Sequence, residues 1–187
     1  MRRKLLGSAF FKRRGAALAR SLIGKYLVRR SYSLIRTHKR IRNRYKETAL
    51  MINEVELYEG AEDRSSHAFN GDKGRAAVMF GPGGRWYVYL CYGMYEMLNL
   101  VVGAAGFPAA ILIRGAGPYH GPGKLTRALT IDRTFNNTTA DKKTGLWIED
   151  RGVRVAVKEI EAGPRIGLGK DAGEWAKTPH RFVLKNR

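Results

Sequence analysis

Apolar and polar positions alternate over residues 49–58, which predicts a β-strand. Its faces would carry Ile52, Glu54, Glu56 and Tyr58 on one side and Met51, Asn53, Val55 and Leu57 on the other. Upstream, residues 16–23 have the spacing of a short amphipathic helix ended by Gly24. Residues 25–32 are β-rich around Tyr26, Leu27 and Val28, and residues 33–46 read as a basic surface loop or ribbon. Downstream, residues 59–84 form a long polar, glycine-rich connection anchored by Met79 and Phe80. A loop that long inside a compact domain usually carries function.

Residues 86–92 and 96–102 predict two strands joined through Gly93 and Met94 as a protruding β-hairpin. Another strand is expected over 108–114, then a helix opening at Gly121-Pro122-Gly123-Lys124 and running to about Ile131. Short strands follow over 146–148, 153–157 and 182–184, with a glycine-rich turn over 166–169. Many strands and few helices give an α+β class: one domain over 1–187 on a curved antiparallel β-sheet, with residues 1–15 as a loose basic arm.

Charge changes the picture. The net charge of +19 is large for 187 residues and points to a polyanionic partner. It is also uneven. The first 46 residues hold sixteen Lys or Arg and no acid, while the other nineteen face all sixteen Asp and Glu, leaving +3. The first quarter is the electrostatic grip, so any chemistry must come from the rest.

Several chemistries are disfavoured. Cys91 is the one cysteine, which rules out an intrachain disulfide and a multi-cysteine zinc site, and His38, His120 and His180 have no ligand spacing. No metal or cofactor is expected. Walker spacing, a complete dinucleotide fingerprint and a Gly-x-Ser-x-Gly elbow are all missing. No apolar run approaches the roughly 20 residues of a membrane helix, and Lys12-Arg13-Arg14 interrupts the start of a would-be signal peptide, so neither membrane insertion nor secretion is expected.

The residues that could work are few. Glu54 and Glu56 would supply a general base only in a partly dry pocket, and otherwise read as a solvated strand edge. His67 taken alone is an ordinary loop histidine. Trp86, Tyr87, Tyr89, Tyr92 and Tyr95 are either sheet-face packing or platforms on which bases stack. A side chain at the hairpin tip is placed to wedge between base steps. Gly121 to Lys124 reads as a plain turn or as a phosphate cradle.

An ordered series of short pieces resolves these alternatives. They are Leu18-Ala19-Arg20, Glu56-Leu57-Tyr58, His67, Met79-Phe80, Tyr87-Val88-Tyr89, Tyr92-Gly93-Met94-Tyr95, Asn99, Leu112-Ile113-Arg114, Gly121-Pro122, Lys124-Leu125, the stretch 165–169 and Ala172-Gly173-Glu174-Trp175-Ala176. In this order the chain resembles the alkyladenine (3-methyladenine) DNA glycosylase family, from about residue 16 to its end.

The resemblance implies a base-flipping enzyme that removes alkylated or deaminated purines (3-methyladenine, 7-methylguanine, hypoxanthine) from double-stranded DNA without cutting the strand. By the same resemblance Glu56 would activate water, held by Arg114 and the backbone carbonyl of Ile166. Tyr58, His67 and Tyr89 would stack around the base, and Asn99 would collide with the guanine 2-amino group. Tyr92, with Met94 beside it, would intercalate, and Lys124 would meet the DNA backbone. A monomer is expected, in the cytoplasm (nucleoid) of a bacterium or the nucleus of a eukaryote. The alternative is a non-catalytic DNA- or RNA-binding protein using the same surface.

Two departures stand out. Between Arg114 and Gly121 the family carries a longer, helix-bearing connection, here only Gly115-Ala116-Gly117-Pro118-Tyr119-His120. After His67 the chain has Lys73-Gly74-Arg75-Ala76 where the family has Thr-x-Arg-Asn.

Overall fold

A computed structural model describes residues 3–37 and 40–185. The fold is organised by one long strand. β1 (Lys4–Leu5), α1 (Ser8–Phe11), α2 (Gly15–Leu22) and β2 (Tyr26–Thr37) lead into β3 (Arg40–Glu59). Then come β4 (Trp86–Cys91), β5 (Tyr95–Val101), β6 (Ala109–Ala116), β7 (Tyr119–His120) and α3 (Pro122–Ala128). β8 (Leu146–Asp150), β9 (Ile160–Gly163) and β10 (Arg181–Leu184) complete the chain.

The strands form one antiparallel sheet in the order β1-β8-β2-β3-β6-β5-β4, with β10 and β9 added beside β3 and β7 beside β6. β3 changes neighbours along its length. Its first part pairs with β2 as far as Met51, and its last part lies between β6 and β10. Glu54, Val55 and Glu56 therefore have strands on both edges. That position, rather than the polarity of the residues, buries the two glutamates.

The hydrophobic core lies under this sheet. Val55, Leu57, Leu98, Leu100, Ile111 and Ile113 face it with Trp86, and α2 closes it with Leu18, Ala19 and Leu22. Gly24, with φ +86°, turns the chain from α2 into β2; a Cβ there would meet Val155 at 2.8 Å. A separate small cluster of Ala68, Met79, Tyr87, Val101 and Ala110 packs the connection after β3 onto the sheet.

The α+β sheet and the β4–β5 hairpin are as expected, and residues 33–37 and 40–46 extend the strands β2 and β3 into a ribbon. Other expectations need correction. Residues 3–15 are not loose: β1 pairs with β8, and the apolar side chains of Leu6 and Phe11 are drawn into the core out of water. Residues 153–157 are not a strand; Val155 packs on the core without a ladder, and the strand falls instead at β9. α3 stops at Ala128, before Thr130 at φ +50°.

The predicted faces of β3 are also broken. Register shifts flank Glu54, so Ile52 joins Val55 and Leu57 in the core instead of sharing a face with Glu56. The long connection holds two 3₁₀ stretches, His67–Asn70 and Gly74–Phe80, which are its anchors.

Candidate active site

The carboxylate of Glu56 is fully buried, directly behind Tyr58, Arg114 and Ile166, which line a cleft. Tyr58, two residues on, donates its hydroxyl to Glu56 Oε2 at 3.0 Å. The main-chain N–H of Ile166 donates to Oε1 at 2.8 Å. Arg114 reaches Oε2 with Nη1 at 3.4 Å and Glu54 Oε1 with Nε at 3.3 Å. Arg114 can span both because it is the extra residue of β6 where β3 and β6 slip register: Gly115 pairs with Glu54, Ile113 with Val55. Glu54 is held from the other side by Arg181 of β10 at 2.7 Å.

Burial pushes the Glu56 carboxyl above the ordinary carboxylate range. Arg114, the Ile166 N–H and the Tyr58 hydroxyl pull it back, and the Glu54 charge adds to the upward push. Once ionised, a carboxylate so withdrawn from bulk water has the raised basicity that a general base needs.

The opposite wall is aromatic. The His67 ring meets Tyr89 edge-on at 4.6 Å between centroids, and its Nδ1 is 2.7 Å from the Tyr87 hydroxyl. Burial, assisted by the nearby Arg75, lowers the His67 imidazole below its ordinary value, so it is neutral at pH 7. Burial raises the hydroxyls of Tyr58, Tyr87 and Tyr89, which stay protonated. Tyr58, His67 and Tyr89 thus line the cleft as neutral, electron-rich rings, in a volume of about 930 Å³. That is within the range of small-molecule sites.

Asn99, Lys124, Tyr92 and Ile166 also border this cleft, and Met94 does not. Asn99 is buried, its amide donating to the carbonyls of Tyr87 and Met97 at 3.1 Å each. Lys124 is exposed in the first turn of α3 at the rim. Tyr92 and Met94 stand at the hairpin tip, 81% and 65% exposed. The turn there puts Tyr92 at φ +50° and Gly93 at φ +67°, which makes the tip protrude. Ile166, expected to act through its carbonyl, contacts Glu56 through its N–H.

Sequence reasoning missed the support beneath this wall. Arg165 and Asp63 form a wholly buried, two-toothed ion pair at 2.6 and 3.1 Å. Arg165 also donates to the carbonyls of Leu57 and Trp175 and lies 4.6 Å from the Tyr58 ring centre. A buried Arg beside the glycine-rich 166–169 turn was the available signal; its partner was not. Among the described residues, no group of three or more His, Cys, Asp or Glu could hold a metal ion, and no helix is long and apolar enough to cross a membrane.

Comparison with known proteins gives the family. The family model described as methylpurine-DNA glycosylase matches residues 9–187. The chain belongs to that family. A relative from Anaeromyxobacter dehalogenans, named "Putative 3-methyladenine DNA glycosylase", is 42% identical over 96% of this chain and 83% of its own length. Proteins of the same name from Methanocella arvoryzae and Ehrlichia ruminantium are 39% and 37% identical, over 95–96% of this chain and 89–90% of theirs. Members of the methylpurine-DNA glycosylase family are hydrolytic DNA glycosylases, and this chain, an α+β enzyme of that family, presents its cleft at the end of β3.

Proposed function

We propose that the chain excises alkylated or deaminated purines from duplex DNA by hydrolysing the bond between the base nitrogen and sugar C1′. The observation that carries this reading is Glu56: a buried carboxylate held by Tyr58, Ile166 and Arg114, three residues that line an aromatic cleft. The extruded purine stacks among Tyr58, His67 and Tyr89, while Tyr92, with Met94, fills the gap left in the duplex. Breaking the glycosidic bond builds positive charge at the sugar, which the Glu56 carboxylate stabilises while it takes a proton from the attacking water. Water oxygen bonds to C1′, and the base departs with the bonding electrons.

The lesion class follows from the rings. Neutral tyrosines and a neutral His67 favour a cationic base such as 3-methyladenine or 7-methylguanine, which leaves as a neutral purine. Hypoxanthine is neutral and must gain a proton to leave. Asn99, held by two backbone carbonyls, is the group that collides with the 2-amino group of guanine; 7-methylguanine bears the same group, so its release should be slower than that of 3-methyladenine. In this reading Lys124, at the cleft rim, meets the DNA backbone and is not a nucleophile at the sugar, so the strand is left uncut, and the enzyme acts as a monomer.

The test is single-turnover release of 3-methyladenine and hypoxanthine from duplex DNA, followed by heat or alkali to cut abasic sites. Release of either, with strand breaks only after that treatment, supports the reading. Tight DNA binding with no release of either base refutes it and leaves a non-catalytic binding protein.

A further inference from the structure

β8 stops pairing with β2 at Arg29, and β6 does not reach β3 until Ile52. Between these limits β2 and β3 pair only with each other, in unbroken register from Arg30↔Glu47 to Thr37↔Arg40. Among the described residues this is a two-stranded ribbon with no third strand, running away from the cleft. A bare ribbon of that length is marginal in water by itself.

Its sequence is one-signed. Residues 29–46 contain eight Lys or Arg and no Asp or Glu. Protecting a strand edge from aggregation would be served by charge of either sign, so a single sign asks for another reason. Arg40, Arg42, Arg44 and Lys46 occupy alternate positions of β3, which are positions of one strand face, spaced about 7 Å apart at the usual rise. Their cross-strand partners are Thr37, Ile35, Ser33 and Ser31, none of them acidic. The only described ion pair on the ribbon is at its base, Arg30 with Glu47 at 2.7 Å.

A row of basic positions on a two-stranded ribbon, with no acid opposite, fits one partner well. A duplex is a linear polyanion, and its major groove admits a two-stranded β-ribbon. Along β3, Arg44 is twelve and Arg40 sixteen residues from Glu56, or about 40 to 53 Å of strand, more than one helical turn of about 34 Å.

We propose that the β2–β3 ribbon is a second duplex-binding element, gripping the phosphate backbone more than one helical turn from the base held in the cleft. The spacing to the cleft rests on the glycosylase reading; the grip itself does not.

Two variants of the full chain test it. One replaces Arg40, Arg42 and Arg44 by Gln. The other replaces residues 33–44 by Asn-Gly, joining Tyr32 to Tyr45, which are already paired. Binding to undamaged duplexes of about one and about three helical turns is measured across a salt series. For each phosphate that the ribbon no longer neutralises, the salt slope should fall by about 0.9 and affinity at 0.1 M salt by about eightfold, on the long duplex only. An equal loss on both lengths overturns the spacing to the cleft, and unchanged affinity and slope overturns the proposal. So does loss of binding to phosphatidylglycerol vesicles with duplex binding intact, which would make the ribbon a membrane contact. Base release at saturating lesion duplex is read in parallel. If the wild type releases no base while the variants still lose long-duplex affinity, the glycosylase reading fails and the ribbon's duplex grip stands.

Discussion

Arg165 and Asp63, 102 positions apart, are paired out of contact with water at 2.6 Å, beside the Tyr58 ring. The next residue after Arg165 gives its N–H to Glu56, and Arg165 itself binds the carbonyl of Leu57, the residue after Glu56. One guanidinium thus fixes β3, the His67 connection and the 166–169 turn relative to each other. Asp63→Asn leaves that guanidinium without its charge partner, at a cost of about 3–5 kcal/mol. Thermal or urea unfolding should show a loss of that size, with base release slowed in the surviving folded fraction. A near wild-type melt would show that the pair contributes little.

As the proposed general base, Glu56 should set the acid side of the pH profile. Its carboxyl is pushed by burial above its ordinary 4.5, so release of a cationic lesion should fall off on the acid side at a pH higher than that value. Hypoxanthine release requires a proton on the base as well, so its rate should also decline as pH rises. Superimposable profiles for the two lesions would contradict this.

The same push makes ionised Glu56 a cost to the fold. Its contribution to stability is whole below 4.5 and is lost as pH rises through the higher folded value. Glu56→Gln should therefore melt above wild type at neutral pH, the Tyr58 hydroxyl turning to accept from the new amide. The gap should close below pH 4.5, as differential scanning calorimetry at the two pH values would show.

Tyr58→Phe keeps the ring and removes the hydroxyl that donates to Glu56. Losing a hydrogen bond to a charged group costs about 1.5 kcal/mol, roughly tenfold in rate. The acid limb should move upward too, because that bond holds the Glu56 carboxyl down. An unchanged limb in a single-turnover pH series would separate Tyr58 from the carboxylate.

At the hairpin tip the balance is different. Tyr92 is 81% exposed and supports nothing in the fold, so Tyr92→Ala should leave the melting temperature unchanged. Binding to lesion duplex should weaken by about 1–3 kcal/mol, the worth of one stacked base. Unaltered lesion affinity in a gel-shift or anisotropy titration would remove Tyr92 from the interface.

How far the chain could be read in advance depended on range. Alternation marked the strand of Glu56 and Tyr58, and the aromatic run marked the β4–β5 hairpin, because both are local periodicities. The break in that alternation at Glu54 was hidden, since it depends on Arg114 bulging from a strand nearly sixty positions later. Asp63 with Arg165 was hidden for the same reason. Residues 3–15 looked loose because their charge dominates; the two side chains that dock them, Leu6 and Phe11, are few and unperiodic. The roles of His67 and Asn99 came from the family resemblance, not from any pattern of their own.

The most direct test of the account is single-turnover base release by Glu56→Gln on 3-methyladenine and hypoxanthine duplexes, with lesion binding measured on the same protein. The account predicts that release is abolished for both bases while binding stays at the wild-type level. Release of either base at the wild-type rate would show that Glu56 is not the group that activates water.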